Sequence, residues 1–167
     1  MTDPTLTPAR LWKRMSAEQR LRAASALWRE KEATAEQMQA TQLIAKQMKL
    51  RPKTANGLDP ERKARYLTAV PDMPDVLAAR LLAVYHLAEQ RPMMGAFLDA
   101  LGIAHENGLI QDETITPDAA KMPAAAAAIA KQYPGPDVAV YLNTLLLQDP
   151  EAWSALRDVP EAGASLA

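Results

Sequence analysis

Proline spacing constrains this chain more than any other feature, because thirteen prolines divide its 167 residues into short segments. Proline inside a helix removes a backbone donor and clashes with the preceding turn, but the first turn of a helix tolerates it. Four prolines follow a Thr or Asp whose side chain can accept from the free N–H groups of a first turn. These pairs are Thr7-Pro8, Asp59-Pro60, Thr116-Pro117 and Asp149-Pro150. The pattern predicts a series of helices that begin at prolines.

The segments between these prolines favour helix over strand. Aromatic residues make up only 5% of the chain, so Ala, Leu and Met must build most of the core. β-branched residues never alternate with polar ones over the length of a strand. We therefore expect an all-α fold, a compact bundle of about eight to nine helices. The predicted helices span residues 8–15, 16–31, 34–50, 60–70, 74–90, 92–101, 117–132, 136–148 and 150–157, with residues 51–58 as a turn and residues 103–115 as a loop.

Two further patterns refine this bundle. Ser16 with Gln19, and Thr34 with Gln37, have the spacing of capping boxes and favour separate helices at 16–31 and 34–50. Because no Gly or Pro lies between Ser16 and Arg51, one long helix over this range is the alternative. The predicted helices 74–90 and 136–148 are apolar nearly all round, which places them at the centre of the fold. Each begins near a Pro-Asp-Val triplet, at Pro74 and at Pro136, and this similarity suggests two repeated three-helix units. Coincidence of helix-starting prolines would give the same similarity.

Charge is unevenly distributed along the chain, although its formal net charge is only −1. Residues 1–70 contain 14 Lys and Arg against 7 Asp and Glu, whereas residues 71–167 contain 5 against 13. Such halves can attract each other within one fold, face different partners, or pair between chains. We predict a single all-α domain over residues 1–167, with basic N-terminal helices at 7–56 and an acidic helical core at 59–160 as its sub-lobes.

Several classes of chemistry lack their sequence signals. The chain contains no cysteine, which excludes disulfides, thiol catalysis and cysteine-bound metals. It contains no Gly-rich phosphate loop, no G-x-S-x-G elbow and no EF-hand pattern. We therefore predict no cofactor and no metal, and the sequence favours a protein that is not an enzyme. No apolar run approaches the roughly 20 residues of a membrane span, and residues 1–10 lack a signal-peptide pattern, so we expect a cytoplasmic protein without a membrane.

Two histidines and one arginine are the candidate ligand-binding positions. His86 lies on the predicted helix 74–90 with Glu89 one turn later and Asp75 on the same face, which suits a base, a metal ligand or a structural His-Glu pair. His105-Glu106 precedes Asn107-Gly108 in a loop, where the same polar pair could bind a ligand or only accompany a turn. Arg80, the one cation of that helix, could bind an anion or pair with an acidic loop such as Asp112-Glu113.

A basic segment follows the predicted helix 34–50. The residues Ile44, Ala45, Met48, Leu50, Pro52, Lys53 and Thr54 resemble the second helix and turn of a helix-turn-helix of the response-regulator kind. The resemblance implies DNA binding, with residues 46–65 as the contact surface and Lys46, Lys49, Arg51, Lys53, Arg62, Lys63 and Arg65 as the basic contacts. The pattern departs from that family at Gly57 and Pro60, which interrupt the expected recognition helix, and at Lys49, which replaces the usual small turn residue.

Three functions are compatible with these observations. We expect first a non-enzymatic helical module for protein–protein interaction or self-association, because eight methionines offer adaptable surface and no catalytic constellation is present. Nucleic-acid binding through residues 46–65 is the second hypothesis. The third is a small-ligand or metal-binding protein that uses His86 and Glu89, or His105 and Glu106.

Overall fold

A computed structural model describes residues 6–163 of the chain. It is 69% helical, with ten α-helices in that range, eight of them of seven residues or more, so the all-α prediction is confirmed. The helices are α1 (Pro8–Arg14), α2 (Ala17–Arg29), α3 (Thr34–Met48), α4 (Pro52–Asn56), α5 (Pro60–Thr68), α6 (Asp75–Glu89), α7 (Arg91–Ala100), α8 (Met122–Ala130), α9 (Gly135–Gln148) and α10 (Pro160–Gly163). Short 3-10 turns occupy Ala119–Lys121 and Ser154–Asp158.

Side-chain caps begin several helices as predicted. The Thr7 hydroxyl accepts from the N–H of Arg10 at 3.2 Å, and Asp59 Oδ1 accepts from the N–H of Arg62 at 2.8 Å. At the start of α2, Ser16 and Gln19 each accept from the other's backbone N–H, which completes a capping box. These bonds satisfy first-turn donors that have no partner within the helix.

The capping box predicted at Thr34 is wrong, although the break between α2 and α3 is confirmed. Ala33 is the N-cap of α3 and makes no side-chain cap bond. The Gln37 amide instead donates to the carbonyls of Leu27 and Glu30, at 2.8 and 2.9 Å. Both carbonyls lie at the end of α2 and also accept a backbone N–H, from Glu30 and from Ala33, so Gln37 adds a second donor to each of them.

Two predicted helix starts in the C-terminal half are also wrong. Asp118, not Thr116, caps the turn before α8, and α8 itself begins at Met122. Pro123 explains the delay, because its missing N–H fits only a first turn. Asp149 Oδ1 accepts from the Ala152 N–H in a turn, and no α-helix spans 150–157.

Two predicted loops contain regular structure. Residues 51–58 include α4, and residues 103–115 contain an antiparallel hairpin of β1 (His105–Glu106) and β2 (Leu109–Ile110). Asn107 and Gly108 connect the two strands with φ values of 51° and 87°. A two-residue turn with both φ values positive matches the twist of a hairpin, which is why Asn-Gly is favoured there.

The buried apolar residues form two clusters. The first joins α1, α2, α3, α5 and α6 with Val140 of α9, and the second joins α7, α8, other residues of α9, the turn at Ser154–Asp158 and α10. Both α6 and α9 are largely buried, as predicted; in α9 every residue from 138 to 146 is buried. Apart from Val140, the two clusters separate along the chain between Tyr85 and Met93, whereas the distribution of charge predicts a sub-lobe boundary near residue 58. The domain organisation and the repeat therefore stay predictions.

None of the helices in residues 6–163 combines the length and the apolar character needed to cross a bilayer.

Candidate ligand-binding site

A cavity of about 300 Å³ lies where α6, α7, α9 and the hairpin meet. Helix α6 contributes Ala83, His86 and Leu87, and α7 contributes Met94 and Leu98. Helix α9 contributes Tyr141, Thr144, Leu145 and Gln148, and the hairpin contributes Gly108, Leu109 and Ile110. The α9 residues are spaced at three, four and seven positions, so they share one face of the helix. The lining is mainly apolar, with a few polar atoms.

Gly108 brings the hairpin wall of this cavity against α7. A Cβ atom at this position would lie 2.9 Å from Met94 Cβ and 3.0 Å from the Arg91 carbonyl oxygen. Its φ of 87° is also a conformation that residues with a side chain rarely adopt. Glycine is therefore required here both for the turn and for the close approach of the hairpin.

His86 is a buried polar residue of the cavity lining. Its side chain is only 4% exposed, and its Nδ1 lies 2.8 Å from the carbonyl oxygen of Leu82. A carbonyl oxygen only accepts, so Nδ1 carries the proton and Nε2 is left with a lone pair. Nε2 is buried and has no hydrogen-bond partner among residues 6–163. An unsatisfied buried acceptor costs roughly 1–3 kcal/mol, so a donor that reached this atom would recover that cost.

Burial keeps the His86 imidazole neutral. Desolvation lowers the pKa of His86 to about 4, although the Leu82 hydrogen bond and the charge of Asp137 act in the opposite direction. At neutral pH the ring therefore offers an uncharged acceptor and not a cation.

Two hydroxyl groups and the Gln148 amide complete the polar lining. Thr144 Oγ1 donates to the Val140 carbonyl at 2.7 Å, which leaves its oxygen able to accept. The Tyr141 ring lies 5.6 Å from the His86 ring, centroid to centroid, and burial raises the pKa of Tyr141 above its usual range. Within the described part of the chain, no group hydrogen-bonds the Tyr141 hydroxyl. The residues that line the cavity carry no charge at neutral pH, which favours an uncharged ligand.

A buried polar network holds the two main walls of the cavity together. Asp137 Oδ1 accepts from the Tyr85 hydroxyl and from the Gln19 amide, each at 2.9 Å, and Gln90 donates to the Tyr85 oxygen at 3.0 Å. Burial, and then the charge of Asp137, raise the pKa of Tyr85 to about 12. This network joins α2, α6 and α9, and nothing in the sequence separates its members from ordinary polar residues.

The structure does not bring His86 and its predicted carboxylate partners together. Glu89 lies on the exposed side of α6 and pairs with Arg29 at 3.4 Å. Asp75 Oδ1 accepts from the backbone N–H of Ala9 at 3.0 Å, at the start of α1. The predicted His86–Glu89 pair is therefore wrong, because the imidazole bonds a carbonyl of its own helix instead.

His105 supports the hairpin and lies outside the cavity lining. Its Nδ1 accepts from the Gly108 N–H at 3.0 Å, so the proton is on Nε2, which donates to Asp99 Oδ1 at 2.7 Å. Glu106 is exposed and pairs with Leu109 in the strand register. The prediction of a joint His105–Glu106 site does not match this geometry.

Arg80 does not pair with the predicted acidic loop, and the described residues contain no group of side chains that could hold a metal ion. The Arg80 Nε is buried without a hydrogen-bond partner among residues 6–163, and Asp112 hydrogen-bonds Thr114 instead. These two bonds hold the pKa of Asp112 below its usual range. In the described range, no three His, Asp or Glu side chains are close enough together to hold a metal ion.

The basic segment is exposed but does not form a complete helix-turn-helix. Lys49 adopts the left-handed conformation at the end of α3, with φ of 55°, as a tight turn requires. The following helix, α4, has only five residues and ends at Asn56, before Gly57. Of the seven basic candidates, Lys46, Lys49, Arg51, Lys53, Arg62 and Arg65 are exposed and Lys63 is half-buried. The part of the resemblance that corresponds to a recognition helix is therefore too short to follow a major groove.

Most lining residues of the cavity were not candidates in the sequence. Met94, Leu98, Tyr141 and Leu145 have the spacing of core residues, and only their arrangement in space leaves a gap between them. Comparison of the chain with protein-family models, with curated proteins and with solved structures finds no match. The proposal of a function for this chain therefore rests on the cavity and its polar atoms.

Proposed function

We propose that this protein binds a small uncharged molecule in the cavity between α6, α7, α9 and the hairpin. The ligand has an apolar body and one O–H or N–H group that donates to His86 Nε2. The observation that carries the proposal is this acceptor atom, buried in the cavity lining without a partner among the described residues. A buried polar atom without a partner is unusual in a folded protein, and a bound donor supplies the missing hydrogen bond.

The shape and the lining restrict the size and the class of the ligand. The volume of about 300 Å³ is at the lower end of the range of roughly 300–1,000 Å³ for ligand pockets, so the ligand is small. Met94, Leu98 and Leu145 supply apolar walls, and burial of an apolar body against them contributes about 25 cal/mol per Å². Small alcohols, phenols and neutral heterocycles with an N–H group fit this combination.

Charge argues against ionic ligands. A carboxylate would meet the lone pair of His86 Nε2 without a lining cation to compensate it, and an ammonium group would find no lining carboxylate. A metal ion would have a single imidazole and no second ligand of the usual types among the lining residues. The neutral His86 ring therefore selects a neutral donor.

Matched aromatic probes test this proposal. We would measure binding of naphthol, methoxynaphthalene and naphthoate, with the substituent at the same ring position, by isothermal titration calorimetry at pH 7. We expect naphthol to bind about tenfold more tightly than its methyl ether, which cannot donate to Nε2, and naphthoate to bind more weakly than both.

Variants of His86 assign the preference to this residue. His86→Phe should keep the apolar cavity and remove the difference between naphthol and its ether. His86→Gln retains an acceptor oxygen and should restore part of the difference. Equal affinities for the two probes in the unmodified protein, or a naphthol preference that survives in His86→Phe, would overturn the proposal.

A further inference from the structure

A second cavity, of about 400 Å³, lies between α3 and α4, away from the elements that form the His86 site. Its lining residues are Met38, Thr41, Gln42, Ala45, Pro52 and Asn56. Of these, Met38 is 60% exposed, and Met48, which lies one turn after Ala45 on α3, is 40% exposed. Exposed methionines are flexible and polarisable, so they adapt to the apolar side chains of a partner. We refer to these residues as the α3–α4 groove.

Uncompensated positive charge surrounds the α3–α4 groove. The sequence from residue 37 to residue 58 contains no Asp or Glu, and its four cations, Lys46, Lys49, Arg51 and Lys53, are all exposed. Within residues 6–163 none of these four forms an ion pair, whereas Arg22, Arg29 and Arg62 each pair with a carboxylate.

The cations follow the groove along both helices. Lys46 lies one turn after the lining residue Gln42 on α3, Lys49 follows the last residue of α3, and Lys53 lies three residues before the lining residue Asn56 on α4. Residues three and four positions apart lie on the same side of a helix, so Lys46 and Lys53 are next to the apolar lining, and Lys49 lies in the turn between the two helices. An apolar groove with a basic edge is complementary to a helix that has an apolar stripe and acidic flanks.

We propose that the α3–α4 groove docks an acidic amphipathic helix of another protein. The apolar stripe of that helix packs on Met38, Ala45 and Pro52, and its Asp and Glu side chains pair with Lys49 and Lys53. A DNA duplex fits the surface less well, because it would use the cations and leave the exposed methionines without a partner. The five-residue α4 also cannot act as a recognition helix.

A displayed library of helical peptides tests this proposal on the full chain. The peptides have about 15 residues, the length at which an isolated helix begins to form, with a fixed Leu stripe and outward positions randomised among Glu, Lys and Gln. We expect selection on the protein to enrich Glu at positions beside the stripe. Selected peptides should bind the double variant Lys49→Glu/Lys53→Glu at least about tenfold more weakly at low ionic strength.

Two further variants separate charge from apolar docking. Ala45→Arg places a long charged side chain in the groove and should also abolish binding. Lys13→Glu/Lys131→Glu makes the same change in charge at two exposed positions on other parts of the surface, and should bind the selected peptides as the unmodified protein does. Circular dichroism and thermal unfolding of each variant confirm that it is folded.

Three outcomes would overturn the proposal. The first is a selection without enrichment or without a preference for Glu. The second is peptide binding that Ala45→Arg and the Lys49/Lys53 reversal leave unchanged. The third is a library that yields no binder, together with tight and strongly salt-dependent binding of a random DNA duplex that the Lys49/Lys53 reversal removes. This result would assign the surface to nucleic acid.

Discussion

The Tyr85 hydroxyl donates a 2.9 Å hydrogen bond to Asp137 Oδ1, and this bond joins α6 to the first turn of α9. The next residue of α6 is His86, and Tyr141 follows Asp137 by one turn of α9, so the bond lies beside the cavity that these two rings line. Asp137 also accepts from Gln19 of α2. The separation of the two cavity walls therefore depends on a polar network and not only on apolar packing.

Replacement of Tyr85 by Phe should destabilise the protein by about 1–3 kcal/mol, because the Asp137 carboxylate and the Gln90 amide each lose a buried partner. Chemical denaturation with urea measures this loss. The control is Tyr66→Phe, a half-buried tyrosine with no hydroxyl hydrogen bond in the described range, which should change stability by less than about 0.5 kcal/mol. Equal effects of the two variants would contradict the role of the network.

The stability of the protein should fall as the pH decreases from about 6.5 to about 4. In this window the unfolded chain protonates His86 but the folded protein does not, since burial lowers the pKa of the folded-state imidazole to about 4. The difference of about 2.5 pH units corresponds to a loss of about 3 kcal/mol, with no further loss from His86 at lower pH. The free energy of unfolding by urea, measured at intervals between pH 7 and pH 4, checks this.

A His86→Leu variant separates the contribution of His86 to the pH dependence of stability from the contribution of the carboxyl groups. Its unfolding free energy should depend less on pH than that of the unmodified protein between pH 6.5 and pH 4. Parallel profiles for the two proteins would show that His86 does not remain neutral on folding.

Filling the cavity should remove ligand binding without unfolding the protein. Ala83 is a half-buried lining residue of α6, so Ala83→Leu places new methyl groups in space that is already open. We expect the affinity for naphthol to fall at least about tenfold, with a change in stability of less than about 1.5 kcal/mol. Ala79→Leu, an exposed position one turn earlier on the same helix, is the matched control and should bind naphthol normally.

Because the hairpin lies close to α7, replacement by alanine should cost more stability at Gly108 than at Gly102. Gly108→Ala and Gly102→Ala both place a side chain at positive φ, which costs about 1–2 kcal/mol. Of these two, only a Cβ added at position 108 would also clash, with Met94 and the Arg91 carbonyl. We therefore expect Gly108→Ala to destabilise the protein by about 2 kcal/mol more than Gly102→Ala. Thermal and urea unfolding of the two variants give this difference, and weaker naphthol binding should accompany only Gly108→Ala. Similar stabilities would show that the hairpin can move away from α7 without cost.

Much of the fold could be predicted from local sequence chemistry. Thr7 and Asp59 begin α1 and α5 because a polar cap followed by proline satisfies a first turn wherever the helix is placed. The buried helices α6 and α9 were recognisable because their apolar residues cover most of the helix surface. These signals act over one to four residues, so they do not require knowledge of the rest of the chain.

The candidate site was only partly predictable. His86 stood out as a rare titratable residue on an apolar helix, but its expected partner Glu89 pairs with Arg29 of α2 instead. Gln37 likewise bonds carbonyls at the end of α2 and not the predicted cap at Thr34, because a local capping pattern does not include those carbonyls.

The amino-acid sequence alone determined where most of the helices begin, which two are largely buried, and that the basic and acidic charges separate along the chain. Only the tertiary structure decided that Met94, Gly108 and Leu145 face His86 across an open cavity, and that α3 and α4 form a second one. The physical reason is that helix starts depend on neighbouring residues, whereas a cavity depends on how side chains distant in sequence fail to fill the space between packed helices.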